Sequence, residues 1–335
     1  MSYTNTIYKQ LKGRLEVGLR WILLVACLGT VVLYCSASLT FLTKPAPLAD
    51  MSGRLSVPAN GPVLSDQNGT TVVDADVTFV TGFFDIGRGS WPRFIRDNDK
   101  YFTYAESILS LQSNFIVFVP EEFRSRVEAM RANMMNKTEI ISLSKEELHC
   151  AQYLDLVNNV MFSGNFKKGH KLLKHPEGFC PWYNIVTNSK APLLLKASQS
   201  GRFNTKFFYW IDFGYGEGKP GRVPPSPLWS PKKIMDPDDH RVIFILRRRG
   251  QLQRLKSIRK EYKVNKDPIF AGGFFGGTRK AVETYVNLHK NMFEELLSKN
   301  IVDDDQTTVT ACYLKEPGLF RLIDGEFCDA FKLFQ

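Results

Sequence analysis

Three stretches of the chain combine residue types that can do chemistry. The first is Phe207–Gly218, FFYWIDFGYGEG, where five aromatic or β-branched residues stop at Asp212 and Gly214, Gly216 and Gly218 follow. An unbroken apolar run of this kind fits a strand buried on both faces of a largely parallel sheet. A carboxylate at the carboxyl end of such a strand faces the crevice where ligands bind in open α/β sheets. The second is Asp85-Ile86-Gly87-Arg88-Gly89-Ser90-Trp91, directly after the apolar stretch 77–84. It reads as a nucleotide-binding loop, and equally as a solvated turn closed by an Asp–Arg pair. The third is Asp303-Asp304-Asp305-Gln306. Three acids opening a helix complement its positive end, and the same acids suit a carboxylate aimed at an acceptor hydroxyl. Upstream, Gly272, Gly273, Gly276 and Gly277 interrupt an apolar segment, which allows a close backbone approach to a ligand or a tight strand-to-helix turn.

These residues need a scaffold, and the hydrophobic pattern supplies one. Strands are expected at 77–84, 114–119, 138–143, 207–211 and 241–246, and helices at 100–111, 121–135, 192–198 and 307–314, with a further helical pattern after Thr278. Ser144-Lys145-Glu146-Glu147 has the form of a capping box opening another helix. Strands alternating with helices are the signature of an α/β fold, a βαβ sheet with helices on both faces. The proline-rich stretch after Gly218 reads as a long loop of the kind that forms lids or binding surfaces.

Several weaker signals are set aside. Gly216, Gly218 and Gly221 match GxGxxG, but the prolines that follow leave no helix to receive a pyrophosphate. Asp212-Phe213-Gly214 reads DFG, yet the HRD loop of a kinase is missing. His170 and His175 read as surface histidines. Seven basic residues between Arg247 and Lys260 suit a solvated helix face or an acidic glycan or diphosphate; no nucleic-acid partner is expected across a membrane.

That membrane is predicted from the N-terminus. Residues 1–20 carry four basic residues against one acid, and residues 21–42 form an uncharged stretch of 22. As a helix it reaches about 33 Å, enough for the bilayer core. With its basic flank cytosolic, the layout is single-pass type II: a tail at 1–20, a signal anchor at 21–42, a stem at 43–76 and a lumenal domain at 77–335. A cleavable signal peptide is the rival reading. Asn68 and Asn136 head glycosylation sequons. Cys150, Cys180, Cys312 and Cys328 are expected to form two disulfides in an oxidising lumen. A hydrophobic content of 44% and an aromatic content of 13% exclude extended disorder as the state of the main domain.

Together, the Asp85–Gly89 loop, the Trp210-Ile211-Asp212-x-Gly214 strand end and the Asp304-Asp305-Gln306 segment resemble the HtrL/YibB family. That family is in turn similar to nucleotide-sugar-dependent glycosyltransferases of the GT-A type. The resemblance implies a GT-A-like, mixed but mostly parallel sheet, a nucleotide-sugar donor, a glycan or glycoprotein acceptor and a Golgi or ER location. It assigns Asp85, Arg88, Asp212 and Gly214 to the donor, Gly272, Gly273 and Gln306 to the acceptor side, and Asp304 or Asp305 to orienting or deprotonating the acceptor. It also implies a divalent cation, Mn2+ or Mg2+, held at Asp212. This chain departs from the Asp-x-Asp of metal-binding GT-A enzymes by carrying Gly214 at the second position. The alternative function is a glycan-binding or scaffold protein that keeps the fold without turnover.

Overall fold

The computed structural model describes residues 76–170, 172–258 and 267–335. The predicted tail, the span at 21–42 and the stem with Asn68 lie outside the described residues, apart from residue 76. Among the described residues, no helix is long and apolar enough to cross a membrane.

Strands β1 (Val77–Gly82), β2 (Asn114–Val119), β3 (Thr138–Ser142), β4 (Phe207–Ile211), β5 (Val242–Leu246), β6 (Phe270–Thr278) and β7 (Phe320–Asp324) form one sheet in the order β3-β2-β1-β4-β6-β5-β7. The pairs are parallel except where β6 runs antiparallel to β4 and β5. The sheet is therefore mixed and mostly parallel. The helices around it include α1 (Asn98–Leu109), α2 (Glu121–Met130), α3 (Leu154–Phe162), α4 (Pro181–Asn188), α5 (Lys190–Gln199), α6 (Arg249–Arg254), α7 (Arg279–Ser298) and α8 (Asp305–Lys315).

The period-2 geometry of a strand explains why β4 is apolar throughout. Phe208 and Trp210 pack into the core shared with α3, α5, α7 and α8. Phe207, Tyr209 and Ile211 face the other core, with α1 and α2. Each such side chain contributes about 1.5–3 kcal/mol by leaving water, before the entropy of ordering is subtracted. The connections β1–β2 and β2–β3 run through α1 and α2 on one face, while β3–β4 runs through α3 to α5 on the other. The connections therefore change face and the strand order reverses between the parallel neighbours β1 and β4, which is where an α/β sheet opens a crevice at its carboxyl end.

The glycine run predicted as a possible strand-to-helix turn lies inside β6. Against β5, Phe275 pairs with Phe244 and Ala271 with Ile245, so residues 272–274 bulge out of the ladder. A bulge re-aims backbone and side chains, and this one sits beside the crevice. The helical pattern after Thr278 is correct, and the Thr278 hydroxyl accepts from the Ala281 N–H to start α7.

Other boundaries differ for local reasons. Helix α1 begins at Asn98 because Asp97 caps it, accepting from Lys100 N at 2.8 Å. Helix α2 stops at Met130 because Arg131 leaves the helical region at φ −107° and ψ 12°; a 3-10 turn follows at Ala132–Lys137, with Asn136 exposed on it. The Ser144–Glu147 capping box forms, with Ser144 N donating to Glu147 Oε2 at 2.8 Å, but it opens only a 3-10 turn because Leu148 is already extended.

Two sequence expectations are corrected. Cys150, Cys180, Cys312 and Cys328 are free thiols and make no bridge. Cys150 and Cys312 are buried on the α3/α7 side of the sheet, whereas Cys328 packs on the opposite side. Burial pushes the Cys150 thiol up to about 12. The basic run is not an open face at its start. Arg247 pairs with Asp267 at 3.0 Å and with Glu326 at 3.0 Å, Arg248 pairs with the same two acids, and Arg249 meets Asp324 at 2.9 Å. Arg259 and Lys260 lie outside the described residues.

Candidate active site

Beyond the carboxyl ends of β1 and β4 lies a cleft of about 460 Å3. The structure brings Asp85, Arg88, Asp212, Gly214, Gly272, Gly273, Asp305 and Gln306 to its walls. Asp304, the remaining acid assigned to the acceptor, is not among the lining residues. It is the N-cap of α8, accepting from Gln306 N at 3.0 Å, and burial together with the charge of Asp303 pushes its carboxyl well above the usual range. The sequence alternatives for the acidic run thus divide by residue: Asp304 caps, and Asp305 faces the cleft.

The loop after β1 is not closed by an Asp85–Arg88 pair. Asp85 Oδ1 accepts from Gly87 N at 2.7 Å, and Oδ2 accepts from Asn98 Nδ2 at 3.1 Å. Arg88 donates through Nη1 to the Tyr101 hydroxyl at 2.5 Å and through Nη2 to the Phe94 carbonyl at 3.0 Å. Arg96 lies 5.1 Å from the ring centre of Tyr101 and 5.3 Å from that of Tyr104, and it pairs with Glu217. One wall of the cleft is therefore cationic and aromatic.

At its foot is a residue that sequence reasoning missed. The ammonium of Lys190 stands 2.9 Å from Asp212 Oδ1, 3.1 Å from Asp305 Oδ2 and 3.2 Å from the Gly272 carbonyl oxygen. Burial alone would lower the Lys190 pKa, but Asp212 and Asp305 outweigh it and the group titrates above its ordinary value. Burial lifts the Asp305 carboxyl to about 6, with Lys190 pulling down and Asp212 pushing up. Trp210 Nε1 donates to Asp212 Oδ1 at 2.7 Å, which ties the carboxylate to the strand that carries it. The β6 bulge completes the cluster. A Cβ at residue 272 would lie 2.6 Å from Asp305 Oδ2, and one at residue 273 would lie 3.2 Å from Asp212 Oδ2. Gly272 is needed for Asp305 to approach the strand, while a Cβ at residue 273 would crowd the Tyr215 ring at 3.1 Å as well as Asp212, so the close approach of both glycines is to protein groups of the site.

A signal for Lys190 was present in the sequence. It opens α5, where the helix's own positive end disfavours a cation unless carboxylates offset it. Reading the helix as starting at Pro192 hid this. The pair His170 and His175 also divides. His175 is exposed, but His170 is buried, stacked on Phe166 at 4.7 Å and 3.4 Å from Asp303 Oδ1. Asp303 in turn accepts from Thr307 Oγ1 at 2.7 Å, so His170 and Asp303 hold the start of α8. The Gln306 side-chain oxygen is buried without a hydrogen-bond partner among the described residues.

The residues present do not fit a divalent cation at Asp212. The ammonium already lies between the two carboxylates, and a doubly charged ion about 4 Å from it would be repelled by on the order of 8 kcal/mol at an effective dielectric constant of about 20. Gly214 offers no side-chain ligand, and among the described residues no group of three acids, histidines or cysteines is placed to hold a metal.

The profile of a family described as "Bacterial protein of unknown function (HtrL_YibB)" matches residues 75–335, and the chain belongs to that family. Protein HtrL of Escherichia coli (strain K12) is 27% identical over 272 residues, covering 78% of this chain and 93% of that protein. A crystal structure of mouse xyloside xylosyltransferase 1 in its apo form is similar over 74% of this chain and 85% of that one, with 12% identity and a TM-score of 0.37. A likeness of that size establishes no activity for this chain.

Proposed function

We propose that the cleft binds a nucleotide-sugar and that the domain, GT-A-like in fold, transfers the sugar to a hydroxyl of a glycan or protein acceptor. The observation that supports this best is the Asp212–Lys190–Asp305 cluster at the point where the strand order of the sheet reverses. The cleft volume of about 460 Å3 suits a small molecule of this class. Glycosyl transfer forms a bond from the acceptor oxygen to the anomeric carbon while the bond to the diphosphate breaks and its electron pair leaves with phosphate. It therefore needs positive groups for the leaving charge and a base for the acceptor proton. Asp85 and Arg88 lie on the nucleotide side, Asp212 orients the donor, and Asp305 takes the proton, with Gln306 beside it for the acceptor. A carboxyl lifted above the usual range is a better base than an ordinary aspartate once ionised.

We further propose that residues 21–42 anchor the chain as a type II membrane protein with its domain in the Golgi or ER lumen. The uncharged stretch and its basic flank support that reading. Free thiols neither require nor exclude such a compartment.

The test is a donor screen on the purified full-length protein, following nucleotide release from UDP- and GDP-sugars with and without glycan acceptors. At least one donor is expected to be consumed. Failure of every donor to bind or react would overturn the assignment and favour a glycan-binding scaffold.

A further inference from the structure

We infer that Lys190 fills the place of a divalent cation in this site, so that donor binding proceeds without a metal ion; the inference rests on the nucleotide-sugar reading of the cleft. An ammonium has three N–H donors, and here three acceptors surround it: Asp212, Asp305 and the Gly272 carbonyl. To sit between the two carboxylates a metal would have to expel a side chain that is only 12% exposed. The position after the central aspartate points the same way. A Cβ at residue 214 would already touch the rings of Tyr101 and Tyr104 at 3.5 Å, so a second ligand placed there would have to reach past them.

With Lys190 in place the two carboxylates carry one net negative charge where they would otherwise carry two. The guanidinium groups lining the cleft are then less cancelled, and there are three of them: Arg88, Arg96 and Arg222. Arg88 and Arg96 are held by Tyr101 and Glu217. Arg222 is exposed on the proline-rich loop, and its side chain makes no hydrogen bond or ion pair among the described residues. Its backbone is nevertheless fixed. Gly216 has φ +77° and a Cβ there would fall 1.9 Å from the Arg222 carbonyl oxygen, so the loop packs directly on the turn that follows Asp212. A diphosphate entering the cleft meets Arg222 from the lip while Lys190 neutralises the carboxylates beneath it. Guanidinium and ammonium groups of the chain then carry the charge that a metal carries elsewhere.

Two titrations of the full-length protein test this. In the first, the electron paramagnetic resonance signal of free Mn2+ should persist with protein in excess, meaning binding weaker than about 1 mM; tight capture of Mn2+ by the unmodified protein overturns the inference without reference to any nucleotide. In the second, UDP and GDP are titrated calorimetrically in EDTA and again with Mn2+. The affinity should agree within about twofold between the two, and Lys190→Met and Arg222→Ala should each weaken it by about 10-fold or more. If Lys190→Met does not fold, Arg222→Ala carries the test, because that side chain supports nothing in the fold. A nucleotide that binds only with Mn2+ overturns the inference and leaves the donor reading standing. Binding of neither nucleotide, with or without Mn2+, overturns both.

Discussion

The sheet holds a buried cation at each end, and the two are satisfied in opposite ways. Arg131, at the amino ends of β2 and β3, is fully buried and donates to the carbonyls of Leu109 at 2.9 Å, Leu111 at 2.5 Å and Ser113 at 3.0 Å, and to Thr138 Oγ1 at 2.9 Å. Its partners are neutral, so burial lowers its pKa to about 10. Lys190, at the carboxyl ends, is held by two carboxylates that themselves face a cleft, and its pKa rises. At one end of the sheet the polar groups close on each other and tie loops together. At the other the same kind of burial leaves charge turned towards a space a ligand can enter. Burial of a cation alone says nothing of function; the chemistry of its partners does.

The largest expected effect lies at the closed end. Arg131→Met would strip donors from three buried carbonyls, and an orphaned buried group costs about 1–3 kcal/mol, so a loss of about 3 kcal/mol or more is expected in urea unfolding. Nucleotide affinity of the protein that remains folded should not change. A loss below about 1 kcal/mol would mean that the two cations differ less than their surroundings suggest.

At the open end, Gly272→Ala should displace Asp305 from Lys190. A misplacement of about 1 Å costs up to about 10²-fold in rate, so we expect a loss of about 10-fold or more in transfer, with intact secondary structure by circular dichroism. Unchanged transfer would show that the β6 bulge is not there to seat the carboxylate.

The pH profile sharpens the assignment of Asp305. Its folded pKa is raised to about 6, and a base must be ionised, so transfer should fall as pH drops through about 6 and level off above it. Lys190 pulls this pKa down, so Lys190→Met should move the limb to higher pH. The stability effect has the opposite sense: holding this acid ionised costs the fold above about pH 6, and the cost disappears as pH falls towards the ordinary aspartate value. A rate independent of pH between about 5 and 7 would remove Asp305 from the role of base.

The smallest effect is expected at Asp304. Losing its cap should cost about 1 kcal/mol. Asp304→Ala should leave transfer within about twofold, since its side chain does not line the cleft. A large loss of transfer with normal stability would return Asp304 to the catalytic role assigned from the family resemblance.

Much of this arrangement was legible in the sequence. The apolar run 207–211 is β4, buried on both faces, and Asp212 stands at its carboxyl end as the pattern required. The loop at Asp85 and the acid at Asp305 line the same cleft because topology, which spacing alone does not show, brings β1 beside β4 and folds α8 over β6. Lys190 was missed because the helix was read from Pro192, which hid a cation at a helix's positive end; the two distant carboxylates that converge on it follow from the fold. His170 was misread because its surroundings also follow from the fold: Phe166 and Asp303 bury it, and the second of these is far away in sequence. The glycines of β6 were noticed, but their partners are the site's own carboxylates.

Asp212 acts on a ligand, in this reading, and does more than steady a strand end. Replacement by asparagine keeps the shape and one of the two acceptors that face Lys190 while removing the charge, so transfer and melting temperature of Asp212→Asn, measured side by side, separate the two roles. Because Lys190 keeps Asp305 and the Gly272 carbonyl but loses one carboxylate charge, the expected fold cost is about 1–3 kcal/mol, against a loss of transfer of about 10²-fold, the scale of one electrostatic stabiliser. A well-folded Asp212→Asn protein with normal transfer would contradict it.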